Sequence, residues 1–323
     1  MMALPISLVI DDGSPVNAMF SSHPETEHVF EVHNRFTRRF ADICARHGVR
    51  GKFTVLPMPM CLGRIDERLA HVSRRHLSTF LRIVRKRIAP IFDITPEILT
   101  HLMAYHLGCG GFMYLHLYED EWFAKATGPE MIEYIVLALR ILKNVGLSAN
   151  GVTSPWVTGI QNEKTYAQAI GRAQWLVHRR KLTWYFLHCD WQGPPRWPYV
   201  SWASRKTGQK VVSVVGTTGD PFWSTQRPHA NSARKARAAA EKGVAQMLSA
   251  DGKSGRLREL FDQGYPLVIV THWQSLFSDG REAGLDGLER LLIRTERVFG
   301  KSVTWVRCSE LAATAVGRRS RSL

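Results

Sequence analysis

The stretch MMALPISLVIDDGSPVN (residues 1–17) decides how the chain is read. From Ile6 to Ile10 it is apolar except for Ser7, the pattern of a strand buried on both faces. It then runs into two adjacent carboxylates, Asp11 and Asp12, followed by Gly13. Two neighbouring aspartates repel one another unless a cation sits on one of them. A divalent metal on Asp12 would let Asp11 stay ionised beside it and act as a base. The same ion would lower the pKa of a bound water towards neutrality. The competing reading of Asp-Asp-Gly is a plain turn after a strand.

Strand and helix signals alternate onward from this point. Phe36, Phe40, Ile43, Cys44 and His47 share one face of a helix that Gly48 closes. Residues 52–59 read as a strand, 74–89 as a basic helix stopped by Pro90, and 111–118 as a strand. Ile132, Ile135, Val136, Leu139, Leu142 and Val145 predict a helix over 130–145. A strand at 149–153, a helix at 163–178 and a strand at 182–188 follow. A hairpin over 197–216, an alanine-rich helix at 232–250 and a buried strand at 265–273 come next. A helix at 284–299, ended by Gly300, and a strand at 302–308 complete the series. Such alternation predicts an α/β fold of parallel strands with helical crossovers. In parallel α/β barrels the reactive residues gather beyond the C-terminal strand ends. Asp11, Asp12, His188 and His272 all fall at such ends.

A chain of 323 residues supports a large core, and one domain is expected over 1–316, with a disordered basic tail at 317–323. Net charge is the outlier at +15, with 43 Lys and Arg against 28 Asp and Glu. That balance favours anionic partners. The basic runs 85–87, 179–181, 234–237 and the tail arginines are read as solvated helix faces or as sites for an anionic glycan or nucleic acid. Nucleic acid is not expected, because no helix-turn-helix, zinc-finger or RNA-binding signature is present. Nor is there a P-loop, a G-x-G-x-x-G or a G-x-S-x-G. No membrane partner is expected, since no run of about eighteen apolar residues occurs. The five cysteines are scattered without a C-x-x-C, and no signal peptide is visible, so a cytoplasmic location is expected.

A metal needs further ligands. His101, His106 and His116 are the candidates nearest one another in sequence. Histidine and carboxylate ligands accept zinc, cobalt, nickel, manganese or iron, with zinc the first expectation. Among ten tryptophans, Trp156, Trp191, Trp223 and Trp273 flank candidate strand ends. Such rings stack on sugar faces or pack in a core. Trp156 and Trp273 are taken as substrate contacts.

The combination resembles the NodB-like polysaccharide deacetylases, carbohydrate esterase family four. Their opening strand ends T-F-D-D-G, answered here by Ile10-Asp11-Asp12-Gly13. Their H-G-x-x-A-T-F-F is answered by His47-Gly48 and the following strand, and their E-I-x-x-H by Glu97-Ile98-Leu99-Thr100-His101. The closing strand–His, helix, strand and S-E-L are answered by 267–272, 284–299, 302–308 and Ser309-Glu310-Leu311. The resemblance implies an irregular (β/α) barrel of about seven strands, with insertions near 71–93 and 192–262. It implies Asp11 as base, His272 as acid, and Asp12, His101 and His106 as ligands of a divalent metal. The activity implied is removal of an acetyl group from an N-acetylated sugar, a polysaccharide or a related amide. Two departures stand out. His106 lies five residues beyond His101 rather than four, which keeps His116 as a rival third ligand. Thr153 stands where the family carries the arginine that pairs with its base, and Asp190-Trp191 answers the fourth motif only in half. Two alternatives follow: an inactive barrel that binds an anionic polymer, glycan or nucleic acid, through its basic surface, or a hydrolase of a small non-peptide amide.

Overall fold

The computed structural model describes residues 3–18, 29–112, 117–187 and 194–317. Its first half carries β1 (Leu4–Asp11), α1 (Asn34–Arg46), β2 (Gly51–Thr54), α2 (Arg74–Ile83), β3 (Phe92–Thr95), α3 (Gly128–Asn144) and β4 (Gly151–Ser154). Its second half carries α4 (Glu163–His178), β5 (Leu182–Leu187), β6 (Tyr199–Ser204), β7 (Gln209–Val215), α5 (Ala233–Met247), β8 (Leu267–His272), α6 (Ala283–Phe299), β9 (Val303–Trp305) and α7 (Cys308–Gly317). The result is a mixed α/β fold on parallel strands, as the alternation predicts.

Strand β1 lies at the centre. Ile6, Leu8, Val9 and Ile10 are completely buried, so both its faces are covered, as in an interior parallel strand. Each such side chain contributes roughly 1.5–3 kcal/mol of transfer free energy. One edge of β1 pairs with β8 in register Asp11↔His272, which sets the second aspartate-side histidine beside the first carboxylate. The other edge pairs with β2 and β9, and β3 continues the sheet beyond β2. A second sheet has the order β6-β7-β5-β4, parallel except for the β6–β7 hairpin.

The two sheets adjoin along both margins. The Thr153 amide donates to the Pro96 carbonyl at 2.8 Å, and Glu97 bridges Thr153 in parallel sense. On the far side Val268 N donates to Thr217 Oγ1 at 2.9 Å, and Val270 N to Thr218 Oγ1 at 3.1 Å. Helix α3 starts at a capping box between Thr127 and Glu130 and packs on α4. Helix α7 lies against β5, β6 and β7, where Leu311 joins Trp184, Phe186, Val212 and Val268 in a second core.

Three expectations change. Strand β3 has no sequence reading above, since its four residues follow Pro90 too closely to show a period. The strand expected over 52–59 ends at Thr54, where the chain leaves the sheet towards Gly13 and Leu99. Of 111–118, only Gly111–Phe112 forms a strand among the described residues, in a small hairpin with Tyr105–His106. Segment 71–93 supplies α2 and β3, and segment 192–262 supplies β6, β7 and α5. His116, His188, Asp190, Trp191 and the arginine tail lie outside the described residues.

Candidate active site

The C-terminal ends of β1, β2, β3, β4 and β8 meet around Asp11 and Asp12. Gly13 follows because a side chain there would meet the Thr54 carbonyl at 1.9 Å. Asp12 itself takes a left-handed backbone, φ 61°. That turns it off the strand axis, so the two carboxylates point to different neighbours.

Asp11 Oδ1 is held by the ammonium of Lys52, whose side chain is entirely buried. Lys52 Nζ also donates to Thr54 Oγ1 at 2.8 Å and to Thr153 Oγ1 at 2.6 Å. Its three protons therefore have three acceptors. Thr95 Oγ1 lies 2.9 Å from Thr153 Oγ1 and extends this layer of hydroxyls. Asp11 Oδ2 is buried and has no hydrogen-bond partner among the described residues. Thr153, the position without its arginine, thus faces a cation that comes from the next strand but one, β2.

Asp12 is tied down on two sides. Its amide donates to Glu97 Oε2 at 2.8 Å, and its Oδ2 accepts from Gln274 Nε2 at 2.5 Å. Its Oδ1 forms an ion pair with His101 Nε2 at 2.8 Å, outside hydrogen-bond geometry, and has no hydrogen-bond partner among the described residues. Glu97 Oε1, 3.6 Å from the same nitrogen, has none among them either. Asp12, Glu97 and His101 present one ligand atom each within 4.8 Å of one another. Atoms about 3 Å apart are what one ion with bonds of about 2.0–2.2 Å requires of neighbouring ligands. Two orphaned carboxylate oxygens and an imidazole nitrogen converging on one point fit a divalent cation.

The loop that carries two of these ligands is strained. Ile98 and His101 have φ of 37° and 52°, and Trp156 opposite them 45°. Such conformations cost on the order of 1–3 kcal/mol each and persist where surroundings over-determine them. Here the buried carboxylate of Glu119 does so. It accepts from the amides of Leu99, Thr100 and His101 at 3.1, 3.0 and 2.8 Å, and from Tyr134 at 2.7 Å.

Charge states follow from this crowding. Burial opposes ionisation of Asp12, but the charge of His101 outweighs it and holds Asp12 well below the usual carboxylate range. Burial, then repulsion from Asp12, pushes Glu97 up to about 8. Burial by itself would lower His101, but Asp12 and Glu97 hold it at about 10. At neutral pH the trio therefore keeps protons that a cation would displace.

His272 faces this cluster from β8. Its Nδ1 is 2.8 Å from Asp220 Oδ2, and its amide donates to the same oxygen at 3.1 Å. Ser275 and Thr271 hydroxyls donate to Asp220 at 2.6 and 3.1 Å. Burial opposes the imidazolium, and Asp220 overrides it, raising His272 to about 9. The Trp223 ring lies 5.1 Å from His272, and the Trp156 ring 4.5 Å from His101. Tyr118, 40% exposed, stands 5.6 Å from Trp156 at the rim.

Asp11, Asp12, His101, His272 and Trp156 are thus brought together. His106 is not: it is exposed on the small hairpin, its Nδ1 accepting from the Cys109 amide at 3.1 Å. The chain turns at His101, and Glu97 takes the third place instead. Trp273 is not a surface for substrate either. The short helix Trp273–Phe277 starts directly after His272 and turns the indole inward, 1% exposed. It packs 4.6–5.3 Å from Phe36, Phe40 and Phe53, and Nε1 donates to the Ser14 carbonyl at 3.0 Å. Sequence reasoning missed Lys52, Asp220, Gln274 and Glu119. Lys52 alone left a signal, a lysine beside Phe53 in a segment read from the sequence as a strand.

No family model and no curated protein matches the chain. Among solved structures it is similar to a mutant of a CE4 family pseudoenzyme with restored enzymatic activity, at 7% identity and TM-score 0.40, covering 96% of this chain and 68% of that one. It is similar to a putative cellobiose-phosphate cleavage protein from Enterococcus faecalis V583, at 12% identity and TM-score 0.44, covering 96% and 99%. A 4-alpha-glucanotransferase from Thermococcus litoralis gives 12% identity and TM-score 0.47, covering 97% of this chain and 40% of that one.

Two outcomes are expected of these residues. Titration with Zn²⁺ or Mn²⁺ in a calorimeter should give one equivalent, lost in Glu97→Ala and retained in His106→Ala. Affinity should rise from pH 6 to 8, because the ion displaces protons from Glu97 and His101. Lys52→Met leaves Asp11 buried and uncompensated, and should lower unfolding free energy by about 3–5 kcal/mol in urea. Lys52→Met with Asp11→Asn should recover most of that loss.

Proposed function

We propose that the chain is a metal-dependent hydrolase of a carbon–nitrogen amide, removing acetyl from an N-acetylated sugar, polysaccharide or related non-peptide amide. The observation that carries this reading is one mouth with three separate devices. They are a cation trio of Asp12, Glu97 and His101, a carboxylate fixed by Lys52, and an imidazole fixed by Asp220. The two sheets, joined along both margins, are read here as one irregular barrel of seven parallel strands whose C-terminal ends form that mouth.

Asp12, Glu97 and His101 would hold the ion, which when bound polarises the scissile carbonyl and acidifies a water. Two carboxylates and one imidazole form a harder set than the two imidazoles expected, so manganese and iron join zinc as candidates. Asp11 accepts the proton of the attacking water at Oδ2, the oxygen that Lys52 leaves unengaged. His272 is held in place at Nδ1 by Asp220 and is protonated at neutral pH, so Nε2 delivers a proton to the leaving nitrogen. Water and amide become acetate and a free amine, with one proton passing through each residue. The half-buried rings of Trp156 and Trp223 flank the two ends of that path and suit a flat sugar face. Lys52 supplies the cation that Thr153 lacks, which supports the hydrolase reading.

Acetate release from N-acetylglucosamine oligomers and acetanilide tests the reading. Turnover with added metal is expected on at least one. Asp11→Asn should lose at least 100-fold in kcat while binding metal normally; wild-type turnover in that variant would remove Asp11 as the base. The alkaline limb of the rate profile should fall near pH 9, where His272 gives up its proton. Asp220→Asn removes what holds that proton and leaves burial unopposed, so the limb should move at least one pH unit towards acid.

A further inference from the structure

The basic run Arg179-Arg180-Lys181 plays no part in the mouth. It lies where α4 ends and β5 begins, at the opposite end of the strands. A six-residue strand separates the two ends by about 20 Å. Residues 164–219 hold nine Lys and Arg and one acid, Asp190.

The fold gathers these residues. Arg172, Trp175, Leu176 and Arg179 stand at i, i+3, i+4 and i+7 on the outer face of α4, with Leu176 54% exposed. Arg179, with φ 57°, turns back so that its guanidinium lies 5.6 Å from the centre of the Trp175 ring. Lys143 reaches the Val177 carbonyl at 3.2 Å, and Arg180 the Ser148 hydroxyl at 3.2 Å. The Lys210 amide donates to the Lys181 carbonyl at 2.8 Å. The β6–β7 turn, with Arg205 and Lys206, docks beside Arg172 through Gln209 Nε2 and the Gly171 carbonyl, 2.9 Å apart.

Several arginines elsewhere are paired. Arg39 meets Glu282 and Asp286, Arg46 meets Glu289, Arg50 meets Glu310 and Arg87 meets Asp42. Among the described residues, none of Arg172, Arg179, Arg180, Lys181, Arg205, Lys206 and Lys210 forms an ion pair. Burial, then the charges of Arg180 and Lys143, push His178 down to about 4, a mark of the field at this end.

We infer that this end of the barrel is a docking surface for the phosphate backbone of nucleic acid, read without sequence preference. Phosphodiesters present closely and regularly spaced charges, and guanidinium forks match them bidentately. A bilayer fits less well: Leu176 and half-buried Trp175 offer little apolar area to insert. The absence of a sequence-reading motif is no obstacle, because backbone binding needs none. The inference stands apart from the proposed hydrolase activity.

The test is fluorescence anisotropy of a labelled 24-base-pair DNA duplex with the whole chain. Binding in the micromolar range at 50 mM salt is expected. About five phosphate contacts give a log–log salt slope near −4.5 and a loss of two to three orders of magnitude by 200 mM. Arg179→Glu/Arg180→Glu/Lys181→Glu should weaken binding at least tenfold. Arg205→Ser/Lys206→Ser, confined to an exposed turn, should weaken it at least threefold. Arg234→Glu/Lys235→Glu, exposed at the first turn of α5 and so at the other end of the strands, should change it less than twofold. Lack of binding at 50 mM salt, an equal loss in the Arg234/Lys235 variant, or tighter binding to phosphatidylserine vesicles or polygalacturonate would overturn the inference.

Discussion

A lysine ammonium shut away from water must be solvated by the protein, and Lys52 meets that demand with Asp11, Thr54 and Thr153. The three partners sit on three strands, so β1, β2 and β4 can take only the alignment that brings them together. Buried ion pairs seldom add stability over well-packed apolar side chains, whereas breaking one is costly. A valine at this strand position would pack without any such demand. Keeping the ion pair there makes sense only for what it does to Asp11, which is to occupy one oxygen and leave the other unengaged.

The same logic runs through the rest of the mouth. Four carboxylates, Asp11, Asp12, Glu97 and Glu119, are buried around one point. Each is answered differently: by an ammonium, by an amide and an imidazole, by a backbone N–H, and by three backbone N–H groups with a phenol. Glu119 holds the loop of Glu97 and His101 in its left-handed backbone. The loop's strain is therefore sustained by charge-assisted hydrogen bonds rather than by packing.

The charge of the molecule divides in a similar way. Buried acids gather around Asp11 and Asp12, where an ammonium, an imidazole and backbone N–H groups answer them. Several surface arginines face carboxylates. Positive charge without a carboxylate partner among the described residues is left at the other end of the strands, on α4 and the β6–β7 turn.

Much of this was legible from residues alone. The run Ile6–Ile10 into Asp11-Asp12-Gly13, the helical spacing over 130–145 and the apolar run into His272 are local patterns, and side-chain period reports them directly. Glu97 and His101 share a few residues of one loop, so the motif placed them together even though the glutamate's part was not foreseen. What only the tertiary structure decided are the partners. Lys52 meets Asp11 across 41 residues, Glu97 meets Asp12 across 85, and Gln274 meets Asp12 across 262. Whether His106 or Glu97 completes the trio depends on a left-handed turn at His101, and whether Trp273 faces substrate or core depends on where a helix begins. Local pattern determines which elements form. Which side chains answer a buried charge is settled by strand order and register, because a charge without water takes whatever partner the fold brings within reach.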